Sequence, residues 1–134
     1  MNILSDQNLD KLLQFNHFGL AVEDKYKPKK FLEQLGYSID LEVEDTNQNV
    51  NAIMMSHPSK PNIEIISKLS SSDITPIDKL IRNNASATYH IAFETNDIKK
   101  IEDYAQRSGL RFLKIVDKMY SPLFKKDVSF HMTN

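Results

Sequence analysis

Two stretches decide the fold: FNHFGLAVED at residues 15–24 and TYHIAFETND at residues 88–97. Each has a histidine at its third position, His17 and His90, inside a run of aromatic and branched residues. Each has an aspartate seven residues further on, Asp24 and Asp97. The register persists outward: Gly36 follows His17 by nineteen residues, as Gly109 follows His90. Lys27 pairs with Lys100 and Val43 with Val116 at the same offset of 73. Self-similarity at a fixed offset marks a duplicated supersecondary unit, so the chain reads as two related modules.

Local patterns fill in the modules. Residues 15–22 read as a strand. Over 27–35, Phe31, Leu32 and Leu35 recur at helical spacing, and Gly36 sits just past the end, where helices terminate. Residues 37–43, 50–56 and 62–67 read as three more strands, the last two divided by the turn residues of HPSKPN. The polar SSSD at 70–73 leads into a helix near 76–83, where Pro76 suits a first turn. A second unit follows, with strands at 87–95, 111–116 and 126–132 and a helix at 98–108 closed by Gly109. Residues 1–14 read as an extra amphipathic helix with Leu9, Leu12 and Leu13 on one face. The expectation is one α+β domain over residues 1–134, its β-α-β-β-β modules at about 15–67 and 87–134 joined by a linker helix at about 74–84. The last strand of the second module is not found before Asn134.

Composition narrows the function. At 134 residues, 40% hydrophobic and 26% charged, the chain is a globular domain of ordinary size. No apolar run approaches the roughly 18 residues of a membrane helix. The opening MNILSDQNLDKLLQF lacks the basic and apolar segments of a secretory signal. With no cysteine there is no disulfide, thiolate zinc site or thiol nucleophile, which fits a reducing cytoplasm. Seventeen basic against eighteen acidic residues give no field for nucleic acid or anionic lipid. A small molecule is the expected partner. Three glycines leave no phosphate loop or dinucleotide fingerprint.

Strand alternation then assigns faces. Phe18, Leu20 and Val22 share the helix side of the first strand, and Ile91, Phe93 and Thr95 take that side in the second module. His17, Gly19 and Ala21 share the other face, as do His90, Ala92 and Glu94. Ile63 and Ile65 go inward, so Glu64 joins the histidines. A small residue two positions after each histidine leaves room beside its ring. Two imidazoles and a carboxylate without thiolate suit a divalent metal, Zn, Fe, Co, Ni or Mn. His131 lies on the face of Ser129, away from Val128 and Phe130, and is the candidate substrate contact at the border of the cleft.

NHFGLAVED, LEQLGYSIDLEVED, NIEIIS, SSDITPIDKLIRNN and YHIAFETNDIKKIEDYAQRSGLRFL together resemble the vicinal oxygen chelate superfamily. That superfamily includes glyoxalase I, extradiol dioxygenases, fosfomycin- and bleomycin-resistance proteins and methylmalonyl-CoA epimerase. The likeness runs from Phe15 to Asn134 and is greatest to the epimerase and glyoxalase-like branch. It implies a cup-shaped mixed sheet around a divalent metal, with His17, Glu64 and His90 as ligands, and commonly a homodimer. The implied activity is that of a lyase or isomerase acting on a small carbonyl or acyl-CoA substrate through an enolate-like intermediate. The family's fourth ligand is a glutamate in the last strand. Adding the offset of 73 to position 64 gives 137, past Asn134. Epimerases of the branch also have a catalytic glutamate in the third strand, and matching VNAIMM to it puts Ala52 there. No catalytic base is assigned, with Glu44, Asp45 and His131 left as candidates. Two alternatives follow: a non-catalytic binding protein of resistance type, or a part of a longer enzyme.

Overall fold

The first strand, β1 (Gln14–Val22), lies inside the larger of two sheets. β4 (Asn62–Lys68) pairs with it in parallel and β5 (Ser86–Glu94) antiparallel. β2 (Ser38–Asp45) and β3 (Val50–Ser56) complete the order β2-β3-β4-β1-β5. β6 (Phe112–Ser121) and β7 (Lys126–Thr133) form a separate antiparallel pair. The helices are α1 (Tyr26–Gln34), α2 (Asp78–Asn83) and α3 (Ile98–Arg107). This computed structural model describes residues 10–70, 74–83 and 86–133. The chain has the α+β architecture expected from the duplication. Of the helix expected over 1–14, residues 10–12 are helical and Gln14 already belongs to β1; residues 1–9 lie outside the described part, as does most of the SSSD linker.

The duplicated aspartates and glycines turn out to be punctuation. Asp97 caps α3, its Oδ1 accepting from the Lys100 amide at 3.1 Å, and Asp24 accepts from the Tyr26 amide at 2.9 Å where α1 begins. Gly36 and Gly109, just past the two helices, take φ of 96° and 71°, a conformation that costs any residue with a Cβ. Of the three matched residues, only the histidine is left for chemistry.

Packing follows the faces. Val22, Leu32, Tyr37, Ile53, Met55 and Ile65 form the core between α1 and the sheet. On the opposite face, Ala21, Val50 and Ile66 pack against Ile77 at the entry to α2. Further along that face, Ala52 and Met54 are covered by Leu123 from the turn between β6 and β7. β3 is therefore buried on both sides, and the histidine-bearing face becomes the inside of a cup. One expected burial is not observed. Ile91 and Phe93 point to the helix side but remain 55% and 52% exposed. β5 is an edge strand of the first sheet, whereas α3 lies against β6, so among the described residues no helix covers that end of β5.

Candidate metal centre

A single row of residues builds the site. The register aligns Met54 with Glu64, Glu64 with Gly19 and Gly19 with His90 across β3, β4, β1 and β5. Neighbouring strands lie about 4.8 Å apart, so Glu64 and His90 start roughly 10 Å from each other, on either side of Gly19. They meet above it because glycine has no side chain. A Cβ on Gly19 would lie 2.4 Å from Cε1 and 2.5 Å from Nε2 of His90. His17, two residues before Gly19 on the same face, closes the triangle.

The three groups converge in a small buried space. His17 Nε2 is 2.8 Å from Glu64 Oε2, His90 Nε2 is 3.3 Å from the same oxygen, and the two imidazole nitrogens are 3.0 Å apart. His17 is 1% exposed and Glu64 8%. Burial works to raise the Glu64 carboxyl, but hydrogen bonds and positive charge from His17 and His90 outweigh it and hold the carboxyl down to about 2. Glu64 is thus an anion at neutral pH. Burial, and to a lesser degree the Glu64 charge, pushes the neighbouring Tyr89 hydroxyl up, so it stays protonated there.

The donor set fits a divalent ion. His17 Nδ1 lies 2.6 Å from the side-chain oxygen of Asn16, which can only accept. Nδ1 therefore carries the proton, and in the neutral ring Nε2 presents a lone pair to the cluster. That lone pair faces the anionic Glu64 oxygen at 2.8 Å, an arrangement that repels unless a cation, or a proton such as one on His90 Nε2, lies among the three atoms. Donors about 2.1 Å from one ion sit about 3.0 Å apart at right angles and about 3.4 Å apart at tetrahedral angles, close to the observed edges. Asn16 fixes the His17 ring in the way an outer partner fixes the ring of a coordinating histidine. Asn16→Ala is expected to weaken divalent-metal affinity about 10- to 100-fold, read by competition with a chelating dye.

The surrounding wall is aromatic and apolar. Phe124 stacks on His17 at 5.2 Å between centroids and 16° between planes. Tyr89 and Phe130 meet the His90 ring at 4.9 and 6.2 Å. The contacts of Phe124 with His17 and of Phe130 with His90 are not readable from the sequence, because each joins residues from different strands; Asn16 left a sign, as a polar residue beside the histidine in an apolar strand, and Tyr89 is the sequence neighbour of His90. Ala52 is 3% exposed and lies under Leu123.

The structure brings His17, Glu64 and His90 together and sends His131 elsewhere. Phe130 faces His90, so alternation turns His131 to the other side of β7, where it stacks on Phe112 at 4.0 Å and faces Glu102 of α3 at 3.8 Å. A cavity of about 330 Å³ lies there, lined by Glu102, Gln106, Leu110, Phe112, Lys114 and His131. The expectation that His131 borders the histidine cleft is corrected: the cup faces its neighbour Phe130.

Residues 16–122 match the family model of the Glyoxalase/Bleomycin resistance protein/Dioxygenase superfamily. The chain belongs to that superfamily. Solved structures of the same fold include methylmalonyl-CoA epimerase from Mycobacterium tuberculosis, with TM-score 0.72 and 16% identity over 89% of this chain and 78% of that one. A hypothetical protein from Bacillus halodurans C-125 gives 0.72 and 19%, over 90% and 84%. Streptomyces coelicolor methylmalonyl-CoA epimerase in complex with 2-nitronate-propionyl-CoA gives 0.70 and 17%, over 90% and 88%. No curated protein matches the chain in sequence.

A change in pH tests the electrostatics of this superfamily member's cluster. The folded carboxyl of Glu64 is depressed from 4.5 to about 2, so its stabilisation is full above pH 4.5 and is lost as pH falls towards 2. The shift corresponds to about 3 kcal/mol. Urea unfolding of metal-free protein is expected to show that loss within this window. Glu64→Gln is expected to lack this pH-dependent component.

Proposed function

We propose that this chain is a metal-dependent enzyme of the glyoxalase and epimerase type, acting on a small carbonyl or acyl-CoA substrate. The carrying observation is the triangle of His17, Glu64 and His90, whose two imidazole nitrogens and one carboxylate oxygen lie 2.8–3.3 Å from one another around a common point. Zn, Co, Ni, Mn or Fe suits two imidazoles and one carboxylate. When bound, such an ion supplies Lewis-acid stabilisation of the negative charge that develops on a substrate oxygen as an enolate forms. The chain's own residues prepare for this. Asn16 holds His17 in the tautomer that offers Nε2, Glu64 supplies one negative charge, and Gly19 lets His90 lean inward. Phe124, Phe130 and Tyr89 exclude water, which strengthens electrostatic interactions within the cup. The structural neighbours that are methylmalonyl-CoA epimerases support an acyl thioester as the substrate class.

Exchange of a proton on both faces of a carbon needs a base on each face. Ala52 offers a methyl group, buried under Leu123, at the position matched to the epimerase glutamate. That observation favours a second reading, a binding protein that holds its ligand in the cup without turnover. Metal-free and metal-reloaded protein challenged with acyl-CoA and hemithioacetal substrates separates the two. Turnover that appears only after reloading supports the enzyme. Tight binding with the ligand recovered chemically unchanged supports the binding protein.

The proposal includes a cytoplasmic homodimer. Phe15 packs on Phe18 at 5.0 Å and on Phe93 at 6.0 Å, and all three stay exposed on the outer face of β1 and β5. Contiguous exposed apolar surface of this kind marks an association site. Sedimentation at twice 15.5 kDa, lost in Phe15→Glu, is the expected result.

A further inference from the structure

We propose that the turn between β6 and β7 is a removable cover of the metal centre, with Phe124 and Leu123 holding it shut. The inference rests on the metal reading of His17, Glu64 and His90 and adds how that site is reached. Phe124 lies flat on the His17 ring, and Leu123 is buried against Ala52 and Met54 on the same inner face. These two side chains fill the space above the first ligand and beside the row that carries Glu64. A substrate approaching over that face meets them before it meets the centre.

The turn is constructed to move as a unit. Its own hydrogen bonds are internal: the Lys125 amide donates to the Ser121 carbonyl at 2.8 Å, and the Phe124 amide donates to Ser121 Oγ at 3.4 Å. Lys125 takes φ of 54°, which closes the turn without support from the cup. Among the described residues, β6 and β7 pair only with each other, so displacement of the hairpin tip breaks no ladder of the larger sheet. The register of the pair slips between Lys114 and Val116 and again between Val116 and Met119, which places irregular backbone behind the tip. The polar ties to the first sheet are slight. Asn47 Nδ2 donates to the Tyr120 carbonyl at 3.2 Å, and Lys126 pairs with Glu94 at 3.0 Å through two well-exposed side chains. What holds the cover is apolar contact, which a ligand of matching apolar surface can replace.

The test compares rate with equilibrium. Protein loaded with Co(II) is mixed with excess EDTA, and loss of metal is followed by absorbance in unaltered protein, Phe124→Ala, Leu123→Ala and Phe124→Trp. The expected result is one metal per chain at equilibrium in all four. Release should be at least tenfold faster in the two alanine variants and near the unaltered rate in Phe124→Trp, which keeps a stacking ring. Equal rates in all four would overturn the cover, as would a Phe124→Trp variant as fast as Phe124→Ala. If unaltered protein takes up no metal, the metal reading fails, and amide hydrogen exchange decides the cover separately. Exchange at 123–126 at least 100-fold faster than in β3 supports a tip that opens by itself. Protection equal to that of β3 overturns it.

Discussion

Glu64→Gln is expected to lower divalent-metal affinity by at least about 100-fold, more than the loss of an outer-shell partner brings. The amide keeps the size of the carboxylate and one acceptor oxygen but removes the negative charge that offsets the charge of the ion. In metal-free protein the same change is expected to cost no more than about 3 kcal/mol, the value tied to the depressed carboxyl, because the amide still accepts one hydrogen bond. Glu64→Ala differs in kind. It leaves two imidazoles, 3.0 Å apart, without their buried acceptor, a loss of about 3–5 kcal/mol when one side of a buried pair is removed. Urea unfolding and chelator competition on the two variants separate charge from packing. Equal metal affinity in Glu64→Gln and unaltered protein would contradict the assignment of Glu64 as a ligand.

Gly19→Ala is the second large effect. The added methyl would lie 2.4–2.7 Å from three atoms of the His90 ring, far inside van der Waals contact. The ring must swing away or the strands must part. Overpacking of this kind costs about 1–3 kcal/mol, and the displaced nitrogen is expected to lower metal affinity at least tenfold. Gly109→Ala is the matched control. Nothing lies within 4 Å of the Cβ it would add, and its φ of 71° predicts a loss of about 1 kcal/mol with metal affinity unchanged. If both variants left metal binding intact, His90 would not be held in place by the bare backbone of β1.

The fold was largely legible because duplication writes the same instructions twice. Asp24 and Asp97 start helices, Gly36 and Gly109 end them, and alternation around His17, Glu64 and His90 puts all three on one face. These are local rules, and they act at short range. What depends on strand order was hidden. That Gly19 lies between Glu64 and His90 follows only once β4, β1 and β5 are known to be neighbours. That Phe124 comes to rest on His17 requires the second module to fold back over the first. His131 misleads for a related reason. Alternation correctly separates it from Phe130, but choosing which of the two faces the cup needs the placement of α3 and Tyr89. The exposed Ile91 and Phe93 show the same limit, since a helix-facing position is buried only where a helix arrives.

The most direct test is metal content by elemental analysis of protein purified without chelator, beside a His17→Ala, His90→Ala double variant whose folding is checked by circular dichroism. The account predicts one divalent ion per chain in the unaltered protein and none in the folded double variant. The same metal content in both would contradict it.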